Sequence, residues 1–477
     1  MAAPTSIQDP RRPEAWVWVY FATVGIVVAL MMVFGLVMRL GQAGLIELPL
    51  TWFYQLMTMH GVGMVGISGV GGAAILYHFL SQHVELSRKI FIANFVLFLI
   101  GAVLLLGPSL LGSYAGAWTF LYPLPQNSGG QWAPSAAAIH LTGLALVGVG
   151  FLLFHLDNAR AILARYGSLG NALGWPQLFG NSSEEPPPAS VVAGTMVLIV
   201  NILGLVSGAS IIVLSIVGIL NPSFEIDALL AKNMIYMFGH VFINATIYMS
   251  VTAVYELLPL YTGRPWKVNK VFLAAWNIST IFVVIVYPHH LLMDFAQPTW
   301  LHVLGQVISY GSGFPVLVVT AFGALTLIHR SGIRWTAASG FLVLSMFGWS
   351  AGVIPAVVDG TIAANQVMHN TQWVPGHFHF YLVLGLVSMF FGFALHYSRG
   401  TGDSAADRVA LWTYAIAGLG FTCAFLAAGA QSVPRRWAIH LEEWHGIALV
   451  GSVFGALVVV ATLLLVVRIA VRARSVA

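Results

Sequence analysis

Two histidines one residue apart, His377 and His379, stand in the run TQWVPGHFHF (371–380) at the head of a long apolar segment. In hydrocarbon an unpartnered imidazole is costly, so at membrane depth it faces a polar cavity, a partner or a metal. Residues i and i+2 of a helix point to nearly opposite sides. One ion cannot easily take both rings, but two irons flanking the helix could. The chain has 16 histidines, and His60, His240, His289 and His290 also fall inside apolar segments. A lone histidine in such a setting is more often a packing residue than a ligand. Six of them are hard to treat as independent. His78, His83, His155, His329, His396, His440 and His445 lie near loops and read as interfacial or packing residues, with His140 and His302 ambiguous.

Depth pairs the rings. His60 lies about 8 residues, roughly 12 Å, into its segment, and His379 about 7 residues, roughly 10 Å, into its own, both counted from the same side. Such a pair suits the two axial positions of one haem. Gly61, Gly63, Gly66 and Gly69 around His60 leave room for a flat macrocycle or for close helix packing, and both readings stay open. His289 and His290 follow Pro288, which loosens the helical ladder and helps adjacent rings converge. With His240 they make three neutral imidazoles with an open position, a set that suits copper or another late first-row metal. His377, facing away from His379, would hold a second haem beside that ion. Arg435 and Arg436 sit on a loop otherwise expected to lack bases, where they can pair with haem propionates, and His369 is expected at the same level.

These residues need a membrane frame. The 477 residues are 58% hydrophobic and only 8% charged, where a soluble domain carries about a quarter charged residues. Apolar stretches long enough to span recur twelve times, at 16–39, 52–80, 89–111, 135–156, 189–219, 228–261, 270–293, 301–328, 336–360, 372–397, 409–431 and 446–470. An all-α integral membrane protein of twelve transmembrane helices follows, since these segments are too long for barrel strands. Bases such as Arg88, Lys89, Arg160, Arg165, Arg264, Lys267 and Arg330 cluster on one set of loops, which places both termini in the cytoplasm. The basic balance of +4 follows from that bias and implies no nucleic acid. Residues 1–477 read as one membrane domain, with NSSEEPPPAS (181–190) a cytoplasmic loop and the aromatic stretch 112–134 an interfacial cap or a docking surface. Cys423 reads as a small core residue.

Taken together, MHG (59–61), GH (239–240), PHH (288–290), HNTQWVPGHFHF (369–380) and VPRR (433–436) resemble subunit I of the haem–copper oxidase superfamily over essentially the whole chain. HHLLMDFAQPTWLH (289–302) and the HNTxWVPGHFH pattern look most like the B family, the ba-type oxidases. The resemblance implies that His60 and His379 hold a low-spin haem b iron, that His377 holds a high-spin haem (b or a variant), and that His240, His289 and His290 hold copper B.

One departure bears on the substrate. Family A and B oxidases carry a tyrosine four residues after the first copper ligand, cross-linked to a histidine; here the run is GHVFIN and the position is Asn244. The C-family alternative, six residues before the histidine pair, is Val283. Tyr248 lies farther along, and Tyr287 is the remaining rival. Four-electron cleavage of O₂ draws its fourth electron, with a proton, from that tyrosine, whereas coupling two NO to N₂O needs only two electrons and two protons. Nitric oxide reduction is therefore the leading expectation, with Asn244 donating a hydrogen bond to bound NO, and O₂ reduction by a B-type terminal oxidase (cytochrome c oxidase subunit I) is the alternative. The superfamily's familiar NO reductases use a glutamate and non-haem iron. Three histidines without a carboxylate favour copper.

Proton delivery falls to Tyr255, Thr246, Ser309, Tyr310 and Ser312, with Val251 interrupting the usual line, Glu256 near the inner end, and Asn365 where related enzymes carry an acid. The changes at Val251 and Asn365 weigh against proton pumping. The expected partners are a subunit II with a cupredoxin-like outer domain, cytochrome c or a small copper protein as electron donor, and the lipid bilayer. The expected location is a bacterial or archaeal plasma membrane.

Overall fold

A computed structural model describes residues 11–180, 182–398 and 403–474. Asn181, which opens the proline-rich loop, and the terminal residues 1–10 and 475–477 lie outside the described residues. The chain is an all-α integral membrane protein. Eleven helices among the described residues are long and apolar enough to cross a membrane. In chain order they are α1 (Ala15–Gln42), α2 (Leu50–Leu80), α3 (Arg88–Leu111), α4 (Pro134–Tyr166), α5 (Ala189–Leu220), α6 (Ala228–Thr262), α7 (Lys270–Leu291), then α9 (Ala337–Asp359), α10 (Trp373–Tyr397), α11 (Ala405–Ala430) and α12 (Glu442–Arg474). The helical run 299–328, α8, completes the twelve. Helices are the form that satisfies backbone groups within each element where water is absent.

Helix starts follow local chemistry. Ser87, Asp227 and Asn269 cap α3, α6 and α7, accepting from Ile90, Leu230 and Phe272. Thr336 with Ser339 and Ser404 with Asp407 close reciprocal capping boxes on α9 and α11. Observed ends match the apolar stretches to within a few residues except in α4, which runs on to Tyr166. There Asp157 accepts from the Ser87 amide at 2.7 Å and pairs with Arg160 at 2.7 Å, so the polar turns are satisfied without ending the helix.

Burial ranks the helices. In α2, α6 and α10, 78%, 89% and 83% of the spanning window is enclosed, against 33–44% in the other spanning helices. These three carry His60, His240 and the His377/His379 pair, so the candidate ligands sit on the innermost elements. Two helices depart from α geometry beside them, and a third farther along the bundle. Helix α7 ends as a 3₁₀ turn over Tyr287–Leu291, as Pro288 dictates. Helix α10 widens to a π segment over Phe380–Val387, immediately after His379, a distortion that often marks functional positions. Helix α8 has a π turn at Leu317–Ala321. Elsewhere, Arg468 and Arg472 of α12 clamp the Asp407 carboxylate at 2.6 Å each, and Arg11 pairs with Glu256 at the end of α6, at 2.8 Å.

Cys423 corrects an expectation. It is exposed on α11, so it faces away from the helix bundle instead of filling the core.

Candidate metal centre

The three imidazoles expected to converge do so: ligand nitrogens of His240, His289 and His290 all lie within 4.8 Å of one another. Each ring offers a defined nitrogen. His240 Nδ1 is 3.1 Å from His290 Nε2. His289 Nδ1 is taken by the Ser309 hydroxyl at 3.0 Å, which leaves Nε2. The 3₁₀ turn brings the two adjacent rings together at a centroid separation of 4.3 Å. Ser309 reaches His289 because α8 approaches α7 closely at Gly305, where a Cβ would stand 2.9 Å from the His289 amide nitrogen. Gly305 and Ser309 are one turn apart on the same face.

The other nitrogen of His240, Nε2, is 3.1 Å from the Asn244 amide nitrogen, which also donates to the His240 carbonyl at 2.8 Å. The asparagine thus occupies the back of this ring. Among the described residues no tyrosine hydroxyl hydrogen-bonds to any ring of the trio. Tyr287 turns away, donating to Asn233 at 3.2 Å. Tyr248 reaches the cavity wall but packs on Trp276 and Trp349. Tyr236 was not singled out by the sequence. It lays its ring near-parallel to His290, with centroids 5.4 Å apart.

A second pair forms on α2 and α10. The His60 and His379 rings are 6.4 Å apart and inclined by only 19°. Their Nδ1 atoms donate to the carbonyls of Met31 and Pro375, each at 2.6 Å, leaving both Nε2 atoms for the cavity the rings line. Two metal–nitrogen bonds of about 2 Å, with the rings beyond them, place such centroids roughly 6–6.5 Å apart. The pair therefore fits one six-coordinate iron. Phe425 stacks on His379 at 5.1 Å. Gly35 of α1 makes space for the His60 ring, where a Cβ would lie 3.0 Å from Cε1. Gly61 lines the cavity beside Trp118, while Gly63, Gly66 and Gly69 face Met31, Phe98 and Phe151 of neighbouring helices.

One cavity of about 430 Å³ joins all three positions, lined by His60, His379, His377, the trio and Asn244. His377 donates from Nδ1 to Asp359 at 2.5 Å. Arg435 and Arg436 line the cavity as expected. Pairing of their loop with the segment before α10 fixes them: Thr371 and Pro434 form an antiparallel bridge, and Arg435 donates its amide to Asn370 at 2.8 Å. Burial, and then the neighbouring Arg435 charge, lower the Arg436 pKa. His369 stands beside Arg435 without lining the cavity; burial and that cation lower its pKa.

Sequence reasoning missed four residues here. Arg39, only 2% exposed, lies over Phe425 at 4.6 Å and donates to Gln372 at 2.8 Å, yet its Nε and Nη2 have no partner. Two unpaired cationic donors on a cavity wall fit the polar edge of a macrocycle. Trp118, expected to serve an interfacial cap, enters the cavity against Gly61 and Gly239. Asp359 and Tyr236 complete the set. Of the expected proton carriers, Tyr255 bonds Thr320 at 3.0 Å. Ser309 instead backs His289, and Tyr310 pairs with Thr361 at 2.8 Å.

Comparison with known proteins gives a consistent result. The model of the family described as cytochrome c and quinol oxidase polypeptide I matches residues 15–462. Relatives include "Cytochrome c oxidase polypeptide 1" of Halobacterium salinarum, 24% identical over 83% of this chain and 67% of that one. "Cytochrome c oxidase subunit 1" of Thermus thermophilus is 22% identical over 85% of this chain and 73% of its own. "Heme-copper oxidase subunit I+III" of Aeropyrum pernix is 25% identical over 47% of this chain, and the match spans only 28% of that longer protein. A solved heme-copper terminal oxidase dimer superposes with a TM-score of 0.81 at 20% identity, over 96% of this chain and 84% of its own.

Proposed function

The chain belongs to the cytochrome c and quinol oxidase polypeptide I family, the haem–copper oxidase catalytic subunits, and we propose that within it this protein reduces nitric oxide to nitrous oxide (2 NO + 2 e⁻ + 2 H⁺ → N₂O + H₂O). Members of the family are oxidoreductases with two haems and a copper ion, and the donor set found here suits that complement. In this reading His60 and His379 hold the low-spin haem iron, His377 the high-spin haem iron, and His240, His289 and His290 copper B. These groups supply the two electrons and the binding positions for NO.

The observation that carries the reading is Asn244 at Nε2 of His240. Where an O₂-cleaving relative needs a phenol as electron and proton donor, this ring is backed by an amide, which can donate a hydrogen bond but no electron. A two-electron reaction has no need of the missing equivalent. The remaining roles follow from geometry. Ser309 holds the His289 ring plane through its contact with Nδ1. Arg435 and Arg436 offer bidentate donors to propionates and relieve their own mutual repulsion in doing so. Trp118 closes the cavity beside Gly239. The Tyr255–Thr320 hydroxyl pair can hold a proton below the cavity, and Tyr248 lies between that pair and the site.

The same reading places the termini in the cytoplasm and the protein in a bacterial or archaeal plasma membrane. Electrons then arrive from outside, through a subunit II with a cupredoxin-like domain fed by cytochrome c or a small copper protein.

Reduction of O₂ to water is the second reading. Relatives named as cytochrome c oxidase subunits accord with it, and the observation on its side is the Tyr236 phenol stacked on His290. Turnover of the purified complex with NO and with O₂ as separate acceptors tests the choice. Rapid NO consumption with stoichiometric N₂O supports the proposal; rapid O₂ turnover to water with slow NO loss overturns it.

A further inference from the structure

The candidate axial histidines are not backed alike. His60 and His379 donate from Nδ1 to neutral carbonyls, of Met31 and Pro375. His377 donates to a carboxylate, Asp359 Oδ2, at 2.5 Å. We infer that Asp359 is a tuning residue, which makes His377 a strongly electron-donating ligand and lowers the reduction potential of the high-spin haem iron relative to the low-spin one. The inference rests on the reading that His377 holds that iron.

The placement of Asp359 is hard to account for by stability. It is the last residue of α9, and a carboxylate at a helix C-terminus meets the negative end of the macrodipole. It is 9% exposed, and its Oδ1 has no partner. Among the described residues no lysine or arginine forms an ion pair with it; its one ion-pair partner is the His377 ring. The surroundings hold it in register instead. Asn365 donates to the Asp359 carbonyl at 2.7 Å, and the chain turns at Gly360. With Nδ1 committed, the nitrogen left for the cavity is Nε2. A carboxylate acceptor raises the basicity of a metal-bound imidazole above what a neutral acceptor gives. A more basic axial ligand favours ferric over ferrous iron, which is one of the levers on haem potential. A residue that merely oriented the ring would leave that equilibrium where a carbonyl puts it.

The test is spectroelectrochemical titration of both haems in the purified holo-complex, with resonance Raman measurement of the ferrous iron–histidine stretch. Asp359→Asn keeps the shape and an acceptor oxygen but removes the charge. It should shift the high-spin reduction equilibrium at least tenfold toward ferrous, which is about +59 mV for one electron. The iron–histidine stretch should fall, and the low-spin midpoint should stay in place. Asp359→Glu should restore most of both signals. An unchanged high-spin midpoint and stretch in Asp359→Asn overturns the inference.

Should Asp359→Asn fail to assemble, His377→Gly supplemented with imidazole or with 1-methylimidazole asks the same question with Asp359 intact. Only the first can donate to the carboxylate, so it should give the lower midpoint, and equal midpoints overturn the inference. The underlying assignment fails in a different way: a His377→Gly complex that keeps the high-spin haem and its iron–histidine stretch without added ligand shows that His377 is not the axial ligand.

Discussion

The Asn244 amide nitrogen lies 3.1 Å from Nε2 of His240, on the side of the ring away from His290. The two residues are one helical turn apart on α6, so the contact is set by the helix itself and does not depend on a long-range fit. Asn244→Leu keeps the volume and removes the donor. NO turnover should drop about tenfold, the scale of one hydrogen bond lost from His240, about 1.4 kcal/mol. Asn244→Tyr should lower NO turnover further, because a phenol is larger than the space the amide fills. An NO electrode with a reduced donor reads both, and unchanged NO turnover in both variants would remove Asn244 from the mechanism.

The convergent trio gives a prediction about metal content. Replacing His240, His289 or His290 with alanine should strip the complex of copper while both haems remain, as read by elemental analysis beside the haem spectrum. Ser309→Ala should be milder. It leaves all three ligands but frees the His289 ring, and loss of such a supporting contact typically costs roughly 10–100-fold in metal affinity. Full copper occupancy in His289→Ala would show that the trio is not the copper site.

How much of this was legible in the sequence depended on what each residue costs where it sits. Imidazoles in hydrocarbon are expensive, so His60, His240, His289, His290, His377 and His379 stood out against their apolar neighbours, and Pro288 announced the distortion that brings two of them together. Asn244 was legible because the helical period ties it to His240. Arg39 and Asp359 were hidden by their positions near the ends of α1 and α9, where a charge reads as ordinary flanking polarity; only packing shows both to be buried. Trp118 was hidden because an aromatic in a loop suits the membrane interface equally well. The glycines after His60 gave two admissible readings, and both hold: Gly61 lines the cavity, whereas Gly63, Gly66 and Gly69 face Met31, Phe98 and Phe151.

The low-spin pair can be separated from the rest of the site. His60→Ala or His379→Ala should abolish the six-coordinate haem spectrum and leave the high-spin haem and copper, because the trio and His377 rest on other contacts. Arg39→Met should retain both haems but shift the low-spin absorption band and midpoint, since it removes the buried donors Nε and Nη2 from the cavity wall. Optical redox titration reads both effects. A low-spin spectrum unaffected by His60→Ala would break the proposed pairing.

The last prediction concerns acid stability. His440 sits in the loop before α12, 5% exposed, and accepts from the Gln372 amide at 3.3 Å. Burial, then the charges of Arg39 and His445, lower its pKa to about 4, against an unfolded value of about 6.5. The folded state therefore resists a proton that the unfolded state accepts, and stability is lost as pH falls from about 6.5 toward about 4. Above that window the ring is neutral in both states and contributes no pH dependence. The linkage is on the order of a few kcal/mol at most, since a shift of one unit is worth about 1.4 kcal/mol. His440→Gln keeps a neutral acceptor for Gln372 and cannot take up a proton. Thermal unfolding of the detergent-solubilised complex should show a smaller drop in Tm between pH 7.5 and pH 5 for the variant than for the wild type. Equal drops would mean that the acid-labile group lies elsewhere.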